Sequence, residues 1–472
     1  MASIHSVKAF VIFVAVVALS LSVRASDLSD GAKINTWISW KKSRKSPDRA
    51  REFVQTSRDF SLLRNGKKVS PRSVGLIYRK ERADGDRLVL SERSQGLEGW
   101  VPASSVVALT KAEAFFSQAI LQRPSDSFAF LMRGIVRYEN DDTDHAFADV
   151  NQALRLDPMN VAALCTRCIL WEVNHRPDEA LADINKALKI DAQNSDVLAR
   201  RGLVFADAKE NDKAVADFQR AIELGSQSAM IYVSRGLIHL QRRELSDAQA
   251  DFEHALEIDS ERADAFVGIG MVQMVQSQAD EAISTLNRAI LVDPKSGEAY
   301  GVRGMSFHFR GDDEKALADL DEAIRLNPKQ SPHVNNHGLI LYGRAEFDSA
   351  LADVEKAIRL DPNDPNSQQG RAWILMACPV SRIRTAEQAI VSANRACELT
   401  RWSEPLYLAT LAAAYSETGD FASAVKWQER AVGNMDLASS EASVYHALLA
   451  CYKSKKPYRS LGSWQGMWLH TE

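Results

Sequence analysis

Cysteine is scarce in this chain of 472 residues, and the five cysteines present are an odd number. At least one thiol therefore stays unpaired, which excludes a framework built only from disulfides. The sequence also has no phosphate-binding glycine loop, no nucleophile elbow and no motif of paired catalytic carboxylates. Because the motifs of common enzyme classes are missing, we expect no catalytic residue, no cofactor and no metal.

Long hydrophobic runs are almost absent as well. The main one, residues 9–19, follows Lys8 and leads to small residues that end at Ala25. This order is typical of a secretory signal peptide, and the run is too short to span a bilayer comfortably. The sequence predicts cleavage after Ala25 and an exported chain, periplasmic or secreted, with no stable membrane span once mature. An uncleaved anchor is the alternative.

Repetition is what the sequence has in abundance. From Ser127 to Asp364 a pattern of 34 residues occurs seven times without an insertion or deletion. A period of this length predicts a solenoid, in which each repeat buries its apolar face only against its neighbours. Three positions are almost always small: Gly134, Cys168, Gly202, Gly236, Gly270, Gly304 and Gly338; Ala146, Ala180, Ala214, Ala248, Ala282, Ala316 and Ala350; and Ala153, Ala187, Ala221, Ala255, Ala289, Ala323 and Ala357.

Each repeat consists of two apolar runs at helical spacing, joined by a short turn. In residues 299–327 the first run contains Gly304 and Phe307, and the second begins near Ala316 and ends before Pro328. The small positions, the apolar position between the alanines and the closing proline resemble the tetratricopeptide repeat. The resemblance implies a mainly α fold, a right-handed α-solenoid of helix–turn–helix units, and a function in binding protein or peptide partners.

The pattern continues on both sides of the seven regular repeats. Residues 111–124 match only the second helix of a repeat, and the second helix of the eighth repeat falls five residues late, after Cys378. The sequence thus predicts a signal peptide at 1–25, a basic linker at 26–50, a small β-barrel at 51–109, a half-repeat helix at 110–126, seven regular repeats at 127–364, a degenerate repeat at 365–404, a ninth repeat at 405–438, a capping helix at 439–458 and a tail at 459–472.

The segment before the repeats is basic, with 17 Lys and Arg against 10 Asp and Glu in residues 26–109. Its most basic stretch, residues 41–47, is interpreted as a solvated linker. A weak contact between this segment and anionic cell-wall polymer is the alternative. We expect no nucleic acid as a partner, because the chain is predicted to be exported.

Short alternating segments follow the linker and are separated by turn signals, one of them Asn65-Gly66. They end in Gly99-Trp100-Val101-Pro102, which resembles the ending of bacterial SH3-like domains. The resemblance implies an SH3-like β-barrel over residues 51–109 with a ligand groove near Trp100 and Tyr78. Trp100 can equally be a core residue that closes the barrel.

An arginine precedes the small position in most repeats, where tetratricopeptide repeats usually have an apolar residue. An aspartate stands sixteen residues later, and only repeat five lacks both, with Ile269 and Thr285 instead. Because the two positions change together, we expect a salt bridge between the two helices of each repeat. An anion-binding ladder of arginines is the alternative. The predicted pairs are Arg133–Asp149, Arg167–Asp183, Arg201–Asp217, Arg235–Asp251 and Arg303–Asp319, with His337–Asp353 as a variant.

Cysteine and histidine spacings suggest two other sites. Cys165 and Cys168 have the CxxC spacing of redox or metal sites, but Cys168 occupies the small position of a helix, which favours packed thiols. His333 and His337 lie one helical turn apart, with His308 in the preceding repeat, so zinc is the alternative to a structural role.

By the same resemblance, the concave face of the first helices is expected to bind the partner. Its lining is apolar and rich in methionine, which suits adaptable peptide or helix binding. Packing against the adjacent repeat is the alternative role of these residues. The paired Lys/Asn pattern of carboxylate-clamping members is missing from consecutive repeats, so capture of a free C-terminal carboxylate is not expected. The predicted peptide-binding residues are Leu131, Ile135, Tyr138, Val267, Met271, Met274, Met305, Phe309, Asn335, Asn336, Leu339 and Tyr342.

These features predict a non-catalytic exported scaffold or adaptor. Its repeats would bind protein or peptide partners, and its SH3-like module would act as a recruiter or envelope anchor. The alternative is an accessory or regulatory subunit of a cell-envelope enzyme or transport complex.

Overall fold

The computed structural model describes residues 106–434 and 442–458, together with the backbone of six strands between residues 53 and 102. The predicted signal peptide, the basic linker and the tail 459–472 lie outside the described residues. The described residues belong to two compact bodies, one ending at Gly268 and the other beginning at Ile269.

Seven antiparallel strands come before the helices in the first body. Their order in the sheet is β3-β2-β6-β5-β4-β1-β7. Tyr78 lies opposite Phe53, and Trp100 lies between Leu63 and Val89 on the two neighbouring strands. The strands are β1 (Phe53–Gln55), β2 (Leu62–Arg64), β3 (Lys67–Val69), β4 (Ile77–Asp84), β5 (Arg87–Glu92), β6 (Leu97–Pro102) and β7 (Val106–Ala108).

Helix pairs follow the sheet in the first body. A single helix, Leu109–Gln122, comes first and matches the predicted half repeat. Repeats one to four are Ser127–Glu139 with Thr143–Leu156, Val161–Val173 with Pro177–Ile190, Ser195–Asp207 with Asn211–Glu223, and Ala229–Gln241 with Leu245–Ile258. The first helix of repeat five, Ala263–Val275, contains the residue at which the first body ends.

The second body continues the same alternation and ends in a single helix, Ala442–Lys453. The remaining helices of repeats five to nine are Ala279–Val292; Gly297–Phe309 with Asp313–Leu326; Ser331–Gly343 with Phe347–Leu360; Pro365–Ala377 with Ala386–Leu399; and Pro405–Glu417 with Phe421–Gly433. Twenty helices are thus present among the described residues, and they form a solenoid of the predicted mainly helical class. None of the described helices combines the length and the hydropathy that a membrane span requires.

The small positions of the repeat lie where the two helices of a pair touch. A Cβ atom at Gly202 would lie 2.6 Å from the Phe218 ring and 3.2 Å from the Ala214 carbonyl oxygen. The alanines of both columns are fully buried at the same contacts. The short distance between the helix backbones therefore explains why these positions stay small along the array.

The turn between the two helices has the same backbone geometry in all seven regular repeats, although its sequence varies. One residue in each turn adopts a positive φ, and only repeat six places a glycine there, Gly311. In repeat one a hydrogen bond ties this turn to the end of the first helix, because the Asp142 N–H donates to the Arg137 carbonyl over 2.9 Å. The other turn residues with positive φ are Asp141, His175, Lys209, Arg243, Ser277 and Ala345.

Candidate functional site

Each arginine of the repeating column holds the aspartate of its own repeat through two parallel hydrogen bonds. The Nε and Nη2 atoms donate to the two carboxylate oxygens over 2.6–2.8 Å. This two-bond geometry is specific to arginine and joins the two helices of the pair. The five pairs with this geometry are Arg133–Asp149, Arg167–Asp183, Arg201–Asp217, Arg235–Asp251 and Arg303–Asp319.

The same arginines also reach the preceding repeat. Their Nη1 atoms donate to a polar side chain sixteen residues earlier, on the second helix of the repeat before. Each arginine therefore connects three helices, which the sequence did not lead us to expect. The acceptors are Ser117, Asn151, Asn185, Gln219 and Asn287, at 2.8–3.2 Å.

In repeats seven and nine other side chains replace the arginine–aspartate pair. In repeat seven His337 Nδ1 lies 2.7 Å from Asp353, so histidine takes the role of the arginine. In repeat nine the aspartate position holds Trp427, whose ring stacks on Trp402 with centroids 4.7 Å apart. In the five described pairs the guanidinium groups are bound to carboxylates of the partner helix, which favours the structural interpretation over an anion-binding ladder.

Most of the predicted peptide-binding residues are covered by the chain itself. Asn335 is an example, because a Cβ atom at Gly370 of the next repeat would lie 2.7 Å from its Oδ1. Only Phe309 and Asn336 of the predicted set are partly exposed. The buried members are Leu131, Ile135, Tyr138, Val267, Met271, Met274, Met305, Asn335, Leu339 and Tyr342. Their burial matches the packing alternative, and binding through them stays a prediction.

The side of the first helices turned away from the second helices is more open in repeats two to four. With about 100° per residue, positions 2, 6, 9 and 13 of a repeat lie about 100–160° around the helix axis from position 8, which faces the second helix. We call this side the first-helix face. Position 9 holds Ile169, Leu203 and Leu237 in these three repeats, and all three side chains are partly exposed. The first helices of these repeats contact one another, so the three aliphatic side chains lie on neighbouring helices.

A charged pair lies next to this aliphatic row. Arg200 Nη1 lies 3.6 Å from Glu172 Oε2, and the two side chains are 19% and 18% exposed. Burial raises the pKa of the Glu172 carboxyl to about 7, against the opposing attraction of Arg200. The pair is looser than the arginine–aspartate pairs, and Arg200 occupies position 6 of repeat three, on the first-helix face.

The surroundings of the cysteines and histidines bear on the redox and metal sites that their spacing suggested. Burial raises the pKa of both the Cys165 and Cys168 thiols, which disfavours the reactive thiolate. His308 Nδ1 lies 2.7 Å from Asp313, and His337 is held by Asp353 as described above. Among the residues that the structure describes, one group of three side chains has ligand atoms close enough together to hold a metal ion. It consists of His239, Glu244 and Asp247 on the surface of repeat four and includes none of the predicted histidines.

Two features of the site escaped the sequence analysis. The hydrogen-bond acceptors sixteen residues before the paired arginines could have been recognised from the 34-residue period. Four of these five positions hold Asn or Gln. The open row of Ile169, Leu203 and Leu237 has no such signal, since the same position is also apolar in repeats where it is buried.

Comparison with protein families supports the nature of the repeats. Models described as tetratricopeptide repeat match residues 168–229, 239–305, 297–330 and 406–432. The chain therefore contains tetratricopeptide repeats. No curated protein matches the chain.

Three solved structures are among those to which the chain is similar. A tetratricopeptide repeat protein from Parabacteroides merdae ATCC 43184 is 20% identical, with 52% of this chain and 96% of that chain covered and a TM-score of 0.43. Yeast Tom70 is 15% identical, with 74% and 86% covered and a TM-score of 0.44. The APC/C hetero-tetramer Cut9–Hcn1 is 15% identical, with 69% and 76% covered and a TM-score of 0.47.

Proposed function

We propose that this protein is a non-catalytic scaffold that binds a protein or peptide partner through the first-helix face of repeats two to four. Its repeats are of a type that serves protein–protein interaction. The partner would place apolar side chains on the row of Ile169, Leu203 and Leu237 and a polar or charged group near Arg200 and Glu172.

The observation that carries this proposal is the partial exposure of the aliphatic row. Ile169, Leu203 and Leu237 occupy the same position on helices that contact one another, and we call this row the apolar strip. At repeats seven to nine the equivalent residues, Leu339, Trp373 and Ala413, are buried. An apolar strip with a charged pair at its side is the usual composition of a surface that binds an amphipathic peptide.

Leu203→Asp tests the proposal, because a charge in the centre of the strip should repel an apolar partner. The full chain and the variant are used to capture partners from the native extract, and the captured proteins are quantified by mass spectrometry. We expect at least one partner whose recovery falls tenfold or more with Leu203→Asp.

The matched control is Leu291→Asp, which makes the same change at a side chain that is 81% exposed on a second helix. Recovery of the partner should be unchanged with this control. Equal recovery with all three chains, or equal loss with both variants, would show that the strip is not the binding surface.

The proposal includes export and a role for residues 26–109. We propose that residues 1–25 act as a cleaved signal peptide and that the strand module is an SH3-like recruiter or an anchor to cell-wall polymer. The module's seven antiparallel strands support this proposal. Intact-mass measurement of the mature chain tests cleavage after Ala25.

Co-sedimentation of the chain with purified wall polymer, compared with a Trp100→Ala variant, tests the anchor. Equal binding of both chains counts against a groove at Trp100.

A further inference from the structure

The chain turns back on itself after its last helix. The helix Ala442–Lys453 packs on repeat nine through Val444 and Leu448. Lys455 adopts a positive φ of 54°, and the Lys456 N–H donates to the Cys451 carbonyl over 3.1 Å. This tight turn directs the following residues towards the repeats rather than away from them.

Tyr458, the last described residue, lies against the first helices of repeats eight and nine. Its backbone N–H donates to Ser416 Oγ over 3.0 Å. Its ring meets Trp373 edge to face, with centroids 5.4 Å apart and an angle of 85° between the planes. Tyr458 thus contributes one backbone bond and one aromatic contact, the two kinds of contact by which a bound peptide is usually held.

Trp373, which contacts the Tyr458 ring, belongs to the first-helix face. Trp373 occupies position 9 of repeat eight, as Leu203 does in repeat three. Tyr458 packs against an apolar cluster that contains Trp373 together with Leu339 and Tyr342 of repeat seven. Leu339 and Tyr342 belong to the predicted peptide-binding set, and in the structure Tyr458 of the same chain packs against their cluster.

The chain that continues from Tyr458 suits this surface. Residues 459–472 contain Leu461, Trp464, Met467, Trp468 and Leu469, and with His470 neutral their only charged side chains are Arg459 and Glu472. Fourteen residues can extend up to about 46 Å, whereas neighbouring helices lie about 10 Å apart. The segment is therefore long enough to reach several first helices, and it carries the aromatic side chains that such a face prefers.

We propose that the first-helix face of repeats seven to nine is a docking site for the chain's own carboxyl-terminal segment, residues 457–472, with Tyr458 as the anchor. The segment acts as an internal ligand, and an outside partner gains this face only by displacing it. This docking site lies on repeats seven to nine, whereas the proposed partner-binding strip lies on repeats two to four. If the docking proposal is wrong, the proposed function is therefore not affected.

The first test compares hydrogen–deuterium exchange of the full chain with that of Tyr458→Ala. Amides in residues 336–343 and 370–377 should exchange at least fivefold faster in the variant, because the covering ring is gone. Tyr458→Phe keeps the ring and should exchange like the natural chain. Unchanged exchange in Tyr458→Ala would overturn the anchor.

The second test asks whether the tail itself binds. A fluorescein-labelled peptide of residues 455–472 is titrated into the natural full chain and into a full chain with Tyr458→Ala, Trp464→Ala and Trp468→Ala. The peptide should bind the triple variant at least tenfold more tightly, because its own segment no longer occupies the face. A peptide with the same three alanines is the control and should not bind.

Equal affinity for the two chains, or no binding to either, overturns the docking proposal. Light scattering of both chains identifies the remaining alternative. If the natural chain is a dimer and the triple variant is a monomer, the occupant is the segment of a second copy, and the intramolecular assignment is wrong.

Discussion

Arg201 shows how a single side chain connects three helices. It donates two hydrogen bonds to Asp217 in its own repeat and a third to Asn185 in the preceding one. The bond to Asp217 also raises the pKa of the arginine. A guanidinium group can make these three bonds in one plane, whereas an ammonium group cannot. Arginine at this position therefore fixes the spacing both within and between repeats.

Removing the aspartate should cost more stability when its arginine is present than when the arginine has already been replaced. Asp217→Ala leaves the half-buried Arg201 without its partner, and we expect a loss of about 2 kcal/mol in local stability. In an Arg201→Leu background the same change should cost less than about 1 kcal/mol. Hydrogen exchange of amides in residues 211–223 measures both values, and equal costs in the two backgrounds would rule out the coupling.

Thr285→Ala is the matched control for this cycle, because Thr285 occupies the aspartate position of repeat five, the regular repeat that lacks both the basic residue and the aspartate. We expect a change of no more than about 0.5 kcal/mol in the stability of its helix.

Glu172 makes stability depend on pH. Its pKa rises from 4.5 to about 7 because burial penalises the charged form. The folded state therefore keeps the proton to higher pH than the unfolded state does, so stability falls as pH rises from about 4.5 to about 7. Glu172→Gln cannot lose a proton, and its stability advantage over the natural chain should be about 2 kcal/mol larger at pH 8 than at pH 4.5. Hydrogen exchange of residues 161–173 at both pH values measures this difference, and an advantage that does not change with pH would contradict it.

Helix pairs are the elements that the sequence specifies best. The small positions give the pairing directly, because each lies where two helix backbones meet. The predicted pairs, their order and the late second helix of repeat eight agree with the helices observed. The turns were less predictable, since six of the seven regular repeats place a residue other than glycine at positive φ. There the packing of the two helices fixes a turn that the local sequence does not favour.

Gly202→Ala tests the close contact within a pair. The new methyl group would overlap the Phe218 ring, and we expect a loss of about 1–2 kcal/mol, measured by hydrogen exchange of the two helices of repeat three. Gly433→Ala is the control, because no atom lies within 4 Å of the added methyl group. This control should be neutral or slightly stabilising, since alanine favours helix more than glycine does. Similar losses at both positions would show that the contact with Phe218 is not what keeps the position small.

Across the whole molecule, the repeats share one architecture but expose different surfaces. Repeats two to four leave an apolar strip partly open, whereas repeats seven to nine bury the equivalent positions. The sequence could not distinguish them, because Leu203 and Leu339 are the same residue at the same position. What differs is the surrounding packing, and at repeats seven and eight Tyr458 adds a contact from a part of the chain more than 80 residues away in sequence.

The central claim is that partners bind the strip formed by Ile169, Leu203 and Leu237. Hydrogen–deuterium exchange of the full chain, alone and with the partner that Leu203→Asp fails to capture, tests it most directly. We predict slower exchange on binding in residues 161–173, 195–207 and 229–241, the three first helices that carry the strip. Protection confined to the second helices, or to repeats outside two to four, would contradict the account.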